Sequence, residues 1–120
     1  MEANNNFIEN NSTQMRRGVL EYSILLILAL EDEYASSIIQ KLKDVDIIVA
    51  EGTVYPLLIR LKKLGLLNYR WEESPQGPPR KYYNITDKGR EIRQEQETEW
   101  RRFSTAINKL LDGEEGKETL

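Results

Sequence analysis

Apolar residues recur at helical spacing between Glu51 and Gly65, and they leave a polar face on the other side of the same helix. We expect the aliphatic stripe to be buried; it consists of Val54, Leu57, Leu58, Leu61 and Leu64. The opposite face carries Gly52, Tyr55, Pro56, Ile59, Arg60 and Lys63, with Thr53 and Lys62 at its flanks. Gly65 predicts a left-handed C-terminal cap. The pattern predicts a helix whose apolar face is buried and whose basic face is exposed to a partner. The alternative is that the basic face is only solvated.

The chain before this helix predicts a tail and two further helices. Residues 1–14 are rich in asparagine and are expected to be a disordered tail. A helix is predicted from Met15 or Arg16 to Leu30, and it is apolar almost all round from Val19 onward, so part of it should lie against another subunit. A buried central strand is the alternative. A second helix is predicted over residues 34–43, with the acidic run 31–33 supplying its N-cap.

Two runs of strand-forming residues, 66–73 and 80–85, flank a turn over residues 74–79 that contains a glycine and three prolines. The return strand begins with Arg80 and Lys81. The helix over residues 34–43, the short connector and the helix that starts near Glu51 have the layout of a helix-turn-helix. A hairpin with basic residues at its tip, directly after such a pair of helices, is typical of the wing in winged-helix proteins. A plain surface hairpin would explain the prolines as edge protection, but it would not explain the clustered cations.

Thr86 predicts the cap of a last helix over residues 87–111, about 38 Å long at 1.5 Å per residue. Its apolar residues lie toward the far end, and they are Trp100, Phe103, Ile107, Leu110 and Leu111. A projecting helix of this kind is expected to meet the same helix of a second chain. Residues 112–120 are expected to be a disordered acidic tail.

Charge and composition restrict the function. The chain has 120 residues, no cysteine and no histidine, which excludes disulfides, thiolate zinc sites and histidine acid–base chemistry. No apolar run is long enough to span a membrane and the N-terminus has no signal-peptide pattern, so a cytoplasmic protein is expected. The net charge is −3, yet residues 52–90 hold eight lysines and arginines against three acidic residues. That local basic patch favours a polyanionic partner.

These residues resemble the PadR family of bacterial transcription regulators over about residues 15–111. The resemblance is carried by Arg16-Arg17-Gly18, by Gly52-Thr53-Val54-Tyr55-Pro56, by Arg60-Leu61, Gly65-Leu66 and Trp71, and by residues 76–83 (QGPPRKYY) with Ile85-Thr86, Gly89-Arg90 and Trp100-Arg101-Arg102. The short last region resembles that of the compact subfamily, whose members lack a large C-terminal domain. The chain departs from the family pattern at Ala50, where a Ser or Asn cap is common, at residues 32–34, and at Ile59.

The resemblance implies a mainly α fold with a small β-hairpin wing, in which a winged helix-turn-helix domain (residues 15–86) precedes a dimerisation helix (residues 87–111). The implied function is a homodimeric repressor that binds a palindromic operator in double-stranded DNA. The DNA-binding residues expected are Thr53, Tyr55, Arg60, Lys63, Gly77, Arg80 and Lys81. The dimer-interface residues expected are Leu20, Ile24, Ile27, Phe103, Ile107 and Leu110.

Several alternatives stay open on the sequence. Thr53 and Tyr55 could be a helix cap and a packing ring. In some relatives a late tryptophan stacks on planar drugs between subunits, which makes Trp100 a candidate site for a planar aromatic effector; it could equally fill the dimer core. A winged-helix protein-interaction module without DNA binding is the alternative function. No enzyme activity, cofactor or metal site is expected, because no catalytic constellation is present.

Overall fold

The computed structural model describes the backbone of residues 2–119 and the side chains of residues 14–113; Met1 and Leu120, the outer ends of the two expected tails, lie outside the described residues. The elements are α1 (Glu2–Leu30), β1 (Glu33–Tyr34), α2 (Ala35–Asp44), α3 (Glu51–Lys63), β2 (Leu67–Ser74), β3 (Gly77–Ile85) and α4 (Asp87–Thr119). The three strands form one antiparallel sheet in the order β1-β3-β2. This mainly α architecture with a hairpin wing and a long last helix confirms the predicted fold class.

One apolar core joins α1, α2, α3 and the base of the sheet. Its members are Leu20, Ile24, Leu25, Leu28, Ala35, Ile38, Leu42, Val54, Leu57, Leu58, Leu61, Leu66, Leu67, Tyr83 and Ile85. The core residues of each helix recur at three- or four-residue spacing, so a single stripe of each helix faces inward. The core therefore holds the helix-turn-helix pair and the wing in one fixed arrangement.

The apolar residues of α1 lie on two sides of the helix, one facing the core and one facing α4. Leu20 and Ile24 were expected at a dimer interface, but they are only 1% and 0% exposed within this one chain. They cannot contact a partner, because α2, α3 and the sheet already cover that side. The remaining side carries Val19, Tyr22 and Leu26, which are half-buried, and α4 packs against it.

The two expected tails are helical in the structure. Helix α1 begins at Glu2 rather than at Met15 or Arg16, and α4 runs to Thr119 rather than ending at Leu111. Asparagine has only a weak helix propensity, but no proline or glycine interrupts residues 2–17, so extending an existing helix is easier than starting one. At the other end, Gly113 costs about 1 kcal/mol relative to alanine and does not stop the helix.

The acidic run before α2 has a different role from the expected cap. Glu33 and Tyr34 form the two-residue strand β1, which pairs with Tyr83 and Tyr82 of β3. Helix α2 consequently starts at Ala35, and the residue at its N-cap position makes no side-chain capping hydrogen bond. Glu33 is buried and forms an ion pair with Lys41 of α2.

The hairpin turn is tighter than expected. Only Pro75 and Gln76 separate β2 from β3, and Ser74 pairs with Gly77. The other two prolines, Pro78 and Pro79, lie inside β3, where the register shifts and the ladder is irregular. Proline donates no backbone hydrogen bond, so an irregular position is where a strand accommodates it.

Candidate nucleic-acid interface

Helix α3 buries one face and exposes the other. Its buried residues are Val54, Leu57, Leu58 and Leu61. Leu64, the fifth member of the predicted stripe, is instead 45% exposed because α3 ends at Lys63 and the chain then turns. Gly65 has φ of +78° and donates to the Lys62 carbonyl at 2.9 Å, and Leu66 donates to the Leu61 carbonyl at 3.0 Å. These two bonds form the predicted left-handed cap, a Schellman motif.

Backbone hydrogen bonds close the first turn of α3. The helix begins early, at Glu51, and Pro56 lies inside it, exposed on its surface. Ala50 occupies the N-cap position with extended backbone angles, and its carbonyl accepts the amides of Thr53 and Val54 at 3.0 and 3.3 Å. The first turn is thus closed by backbone bonds alone, which leaves the Thr53 side chain exposed.

The connector before α3 is fixed by its own contacts. Asp46 adopts a positive φ of 65° after α2. Ile47 donates its amide to the Leu42 carbonyl at 2.8 Å, and Arg16 of α1 donates to the Ile48 carbonyl. These bonds tie the turn of the helix-turn-helix to α2 and to α1.

The wing holds its cations over aromatic rings. The Arg80 guanidinium lies 4.2 Å from the Tyr34 ring centre, and the Lys81 ammonium lies 4.6 Å from Tyr69 and 5.6 Å from Trp71. In β-sheet register Lys81 pairs directly with Trp71. Stacking of this kind keeps the charged heads at defined positions while leaving them hydrated.

A groove of about 390 Å³ separates α3 from the wing. Tyr55 and Ile59 line it from the α3 side, Tyr34 and Ser36 line it from the β1–α2 side, and Trp71, Arg80, Lys81 and Tyr83 complete it. Three of the predicted DNA-binding residues therefore share one surface. Tyr34 and Trp71 were not among them: the sequence predicts Tyr34 at the start of a helix and Trp71 on a strand, and only the sheet pairing brings their rings under the cations.

The remaining predicted DNA-binding residues lie in different surroundings. Lys63 is exposed at the end of α3 and, within the part of the chain described, takes part in no ion pair. Arg60 is held by Glu21 of α1 through an ion pair. Gly77 is exposed at the hairpin tip, with no atom within 4 Å of where a Cβ would stand. These three positions, and Thr53, lie outside the groove between α3 and the wing.

Ion pairs connect the wing base to the loop after α1. Arg70 of β2 donates to Asp32 at 2.9 Å and to Glu72 at 2.9 Å, and these bonds raise the pKa of Arg70. Lys41 donates to Glu31 at 2.8 Å, which raises the pKa of Lys41 and lowers that of Glu31. The loop before β1 is thus pinned from both sides.

Two tyrosines of β3, Tyr82 and Tyr83, pack within the sheet. Burial raises the pKa of Tyr82 and of Tyr83 above the ordinary tyrosine value. Both rings form cross-strand aromatic contacts, Tyr82 with Tyr34 at 4.7 Å and Tyr83 with Tyr69 at 5.8 Å between ring centres. They therefore act as neutral packing surfaces for the wing.

The far half of α4 carries the predicted partner-binding residues. Phe103, Ile107 and Leu110 are 57%, 52% and 71% exposed. Trp100 is 52% exposed, and its ring centre lies 6.4 Å from that of Tyr22 on α1. A groove of about 460 Å³ between α1 and α4 is lined by Met15, Val19, Tyr22, Trp100 and Phe103, among others.

Metal-binding clusters and membrane-spanning helices are both absent from the described residues. No cluster of three or more acidic side chains is arranged to hold a metal ion within them. None of the described helices is both long and apolar enough to span a bilayer.

Comparisons with known proteins match this architecture. Residues 24–95 match the family model described as "Transcriptional regulator PadR-like family". A PadR-like transcription factor of Bacteroides fragilis, known from an X-ray structure, is 53% identical, with 84% of this chain and 98% of that chain covered and a TM-score of 0.74. A PadR-like transcriptional regulator of Bacillus cereus is 43% identical, with coverage of 82% and 96% and a TM-score of 0.72. A PadR family regulator of Eggerthella lenta is 32% identical, with coverage of 92% and 97% and a TM-score of 0.72.

Proposed function

This chain belongs to the PadR-like family of transcriptional regulators, and from that premise we propose that it is a sequence-specific repressor that binds double-stranded DNA as a homodimer. DNA-binding regulation is the activity of the family, and it is not an enzyme family. The observation that carries the proposal is the exposed face of α3, which lies beside the cations of the wing in one groove. A helix and a basic hairpin so arranged suit a duplex groove and its phosphates.

The residues divide by the DNA groups they can reach. Thr53 and Tyr55 project from the exposed face of α3, so they are proposed to lie nearest the base edges or the backbone beside them. Lys63, Arg80 and Lys81 are proposed to contact phosphates, because lysine and arginine side chains supply many of the contacts to the negatively charged DNA backbone. Gly77 allows the hairpin tip to approach the duplex without a side chain in the way.

The homodimer is supported by the apolar residues that the chain leaves exposed. Phe103, Ile107 and Leu110 form a stripe on α4, and each stays more than half exposed within the described part of the chain. On α1, Ile27 stays half-buried against the core, and with Leu20 and Ile24 buried within the chain, α1 can offer a partner chiefly Val19, Tyr22 and Leu26. Two-fold symmetry then presents two α3 helices, which predicts a palindromic operator.

An effector that relieves operator binding is proposed to enter the groove between Tyr22 and Trp100. Its volume of about 460 Å³ falls in the range of small-molecule sites, and its two rings suit a planar aromatic compound. Replacing Trp71 by Phe leaves Trp100 as the sole fluorescent tryptophan. A phenolic acid such as 4-hydroxybenzoic acid, or a planar aromatic cation, should then quench the emission saturably. Blue-shifted emission that neither compound quenches would assign Trp100 to the dimer core instead.

Selection of bound fragments from random duplexes tests the repressor proposal. The expected result is an enriched palindrome whose binding weakens steeply with salt, because each phosphate contact releases counterions. Placing that palindrome upstream of a reporter should lower expression when the protein is produced. Absence of salt-dependent binding to any duplex would overturn the proposal.

A further inference from the structure

An α-helix that enters the major groove meets two phosphate backbones. The groove is about 12 Å wide, and a helix with its side chains is about 10–12 Å across, so one backbone runs along each flank of the helix. On one flank of α3 the wing supplies Arg80 and Lys81. The proposed function leaves the opposite flank without an assigned phosphate contact.

That opposite flank faces the middle of α1. Gly52, Thr53 and Pro56 of α3 form one wall of a groove of about 890 Å³, and α1 forms the other. Arg16, Arg17 and Arg60 line this groove, and no acidic residue does. The helix therefore has arginines on the side away from the wing as well.

One carboxylate, Glu21, serves two of these arginines. Its Oε1 lies 3.5 Å from Arg17 Nε and also pairs with Arg60 Nη1. The Glu21 side chain is 16% exposed, so it lies beneath the two guanidinium groups rather than beside them at the surface. A single carboxylate cannot neutralise two guanidinium groups, and the remaining positive charge faces outward.

The three arginines are not equally available. Arg16 donates to the Ile48 carbonyl and thereby holds the connector before α3. Arg60 is 45% exposed, and its contact with Glu21 is close. Arg17 is 58% exposed, and among the residues whose side chains the structure describes it makes one long contact, to Glu21, which leaves most of its five N–H donors available there.

We propose that Arg17, supported by Arg60, binds the phosphates of the DNA strand on the flank of α3 opposite the wing, and that Glu21 is a positioning residue for both arginines. The inference rests on the proposed DNA binding and adds a second phosphate-contacting surface to it. The duplex is held from both sides of α3, by the wing on one and by α1 on the other. Because Glu21 neighbours Tyr22 in the sequence, the same turn of α1 serves the DNA surface and the groove with Trp100.

The salt dependence of binding to a random-sequence duplex tests the contribution of Arg17. Full-length Arg17→Ala should flatten the slope of log affinity against log salt by about 0.9 for each phosphate that the variant no longer binds. Arg17→Lys keeps the charge and should keep most of the slope. Arg101→Ala is the matched control, because Arg101 also pairs with an acidic residue one helical turn away, Glu97, and its slope should equal that of the parent.

A second measurement locates the contacts on the DNA. Ethylation of single phosphates in the selected operator should interfere with binding at two sets of positions, on the two strands that border the major groove. In Arg17→Ala the interference should disappear at one set, and in the variant with Arg80→Ala and Lys81→Ala it should disappear at the other.

The outcomes separate this inference from the function on which it rests. A parent protein that binds no duplex overturns the proposed function and the Arg17 site together. The Arg17 site alone is overturned if the parent protein binds duplex DNA in a salt-dependent way and the slope of Arg17→Ala equals that of Arg101→Ala. Interference that disappears at the same phosphates in the Arg17 and wing variants also overturns it, because Arg17 and the wing would then contact the same strand positions and not opposite flanks of α3.

Discussion

Gly89 lets the start of α4 lie directly on the end of α3. A Cβ at this position would overlap the Leu66 carbonyl oxygen and stand 2.7 Å from the Ile85 side chain. Thr86 completes the junction: its hydroxyl accepts the Gly89 amide at 3.0 Å and donates to the Gly65 carbonyl at 2.6 Å. The cap of α3 and the cap of α4 therefore hold each other.

Replacing Gly89 by alanine should destabilise the protein by about 1–3 kcal/mol, because the new methyl group forces backbone rather than a flexible side chain to move. Thermal unfolding measures the destabilisation as a lower Tm. Gly113→Ala is the control on the same helix, since nothing lies within 4 Å of its Cβ position, and its Tm should not fall. Equal melting of Gly89→Ala and the parent would contradict the close approach.

At the scale of single residues, local signals were predictable and long-range contacts were not. The left-handed Gly65 and the capping Thr86 were predicted correctly, since each depends on a few neighbouring residues. The pairings of Glu21 with Arg60 and of Arg80 with Tyr34 join positions that are far apart in sequence. No periodicity in the sequence reveals such contacts. The sequence therefore identified the basic residues but not the side chains that contact them.

Helix α3 lacks a side-chain cap although its backbone is prepared for one. Ala50 has φ of −82° and ψ of 153°, the extended geometry of an N-cap residue. Ala50→Ser should add a hydrogen bond to an amide of the first turn and stabilise the protein by about 0.5–1 kcal/mol. Urea unfolding measures the gain, and Ala50→Val, which cannot cap, should show none. If serine and valine variants unfold at the same urea concentration, the side chain does not reach the helix.

The wing can be tested separately from α3. The variant with Arg80→Ala and Lys81→Ala should bind duplexes of every sequence more weakly, and its salt slope should flatten by about 0.9 for each phosphate that the wing no longer binds. The double variant Arg101→Ala with Lys109→Ala removes the same charge from exposed positions on α4 and serves as control. An unchanged slope in the wing variant would remove the hairpin from the DNA interface.

At the scale of elements, the order of helices and strands was predictable and several ends were not. Strand β1 has two residues and exists only because β3 offers it an edge, so no local pattern could reveal it. The two long helices extend past their expected ends because helix growth continues where nothing stops it. The sequence predicts all three hairpin prolines in the turn, whereas two of them lie in the irregular part of β3.

The whole molecule measures 64 × 35 × 25 Å, an elongated shape for a chain of this size. The long helices account for it, and α4 exposes large apolar side chains. Apolar surface of this extent on a projecting helix marks an interaction site. The sequence predicts these α4 residues at a dimer interface, as the proposal does. It also predicts Leu20 and Ile24 there, although the core of the chain buries both, because an all-apolar helix does not reveal which side its own domain covers.

Ile107→Asp tests the dimer. The carboxylate would be buried without a partner in the proposed interface, at a cost of several kcal/mol, which should shift the protein toward monomers. Sedimentation velocity measures the change in assembly, and melting should become less dependent on protein concentration. Thr105→Asp is the control, because position 105 lies on the opposite side of α4 from 103 and 107 and is exposed.

The same variant links assembly to DNA recognition. A monomer retains α3, the wing and Arg17, so its affinity for a random duplex should fall little beyond the effect of one added negative charge. Its affinity for the selected palindrome should fall much further, because two half-sites are then bound independently instead of by one body. A gel-shift series with intact and half palindromes measures both. An Ile107→Asp protein that sediments as a dimer and retains its preference for the full palindrome would place the interface elsewhere than on the apolar stripe of α4.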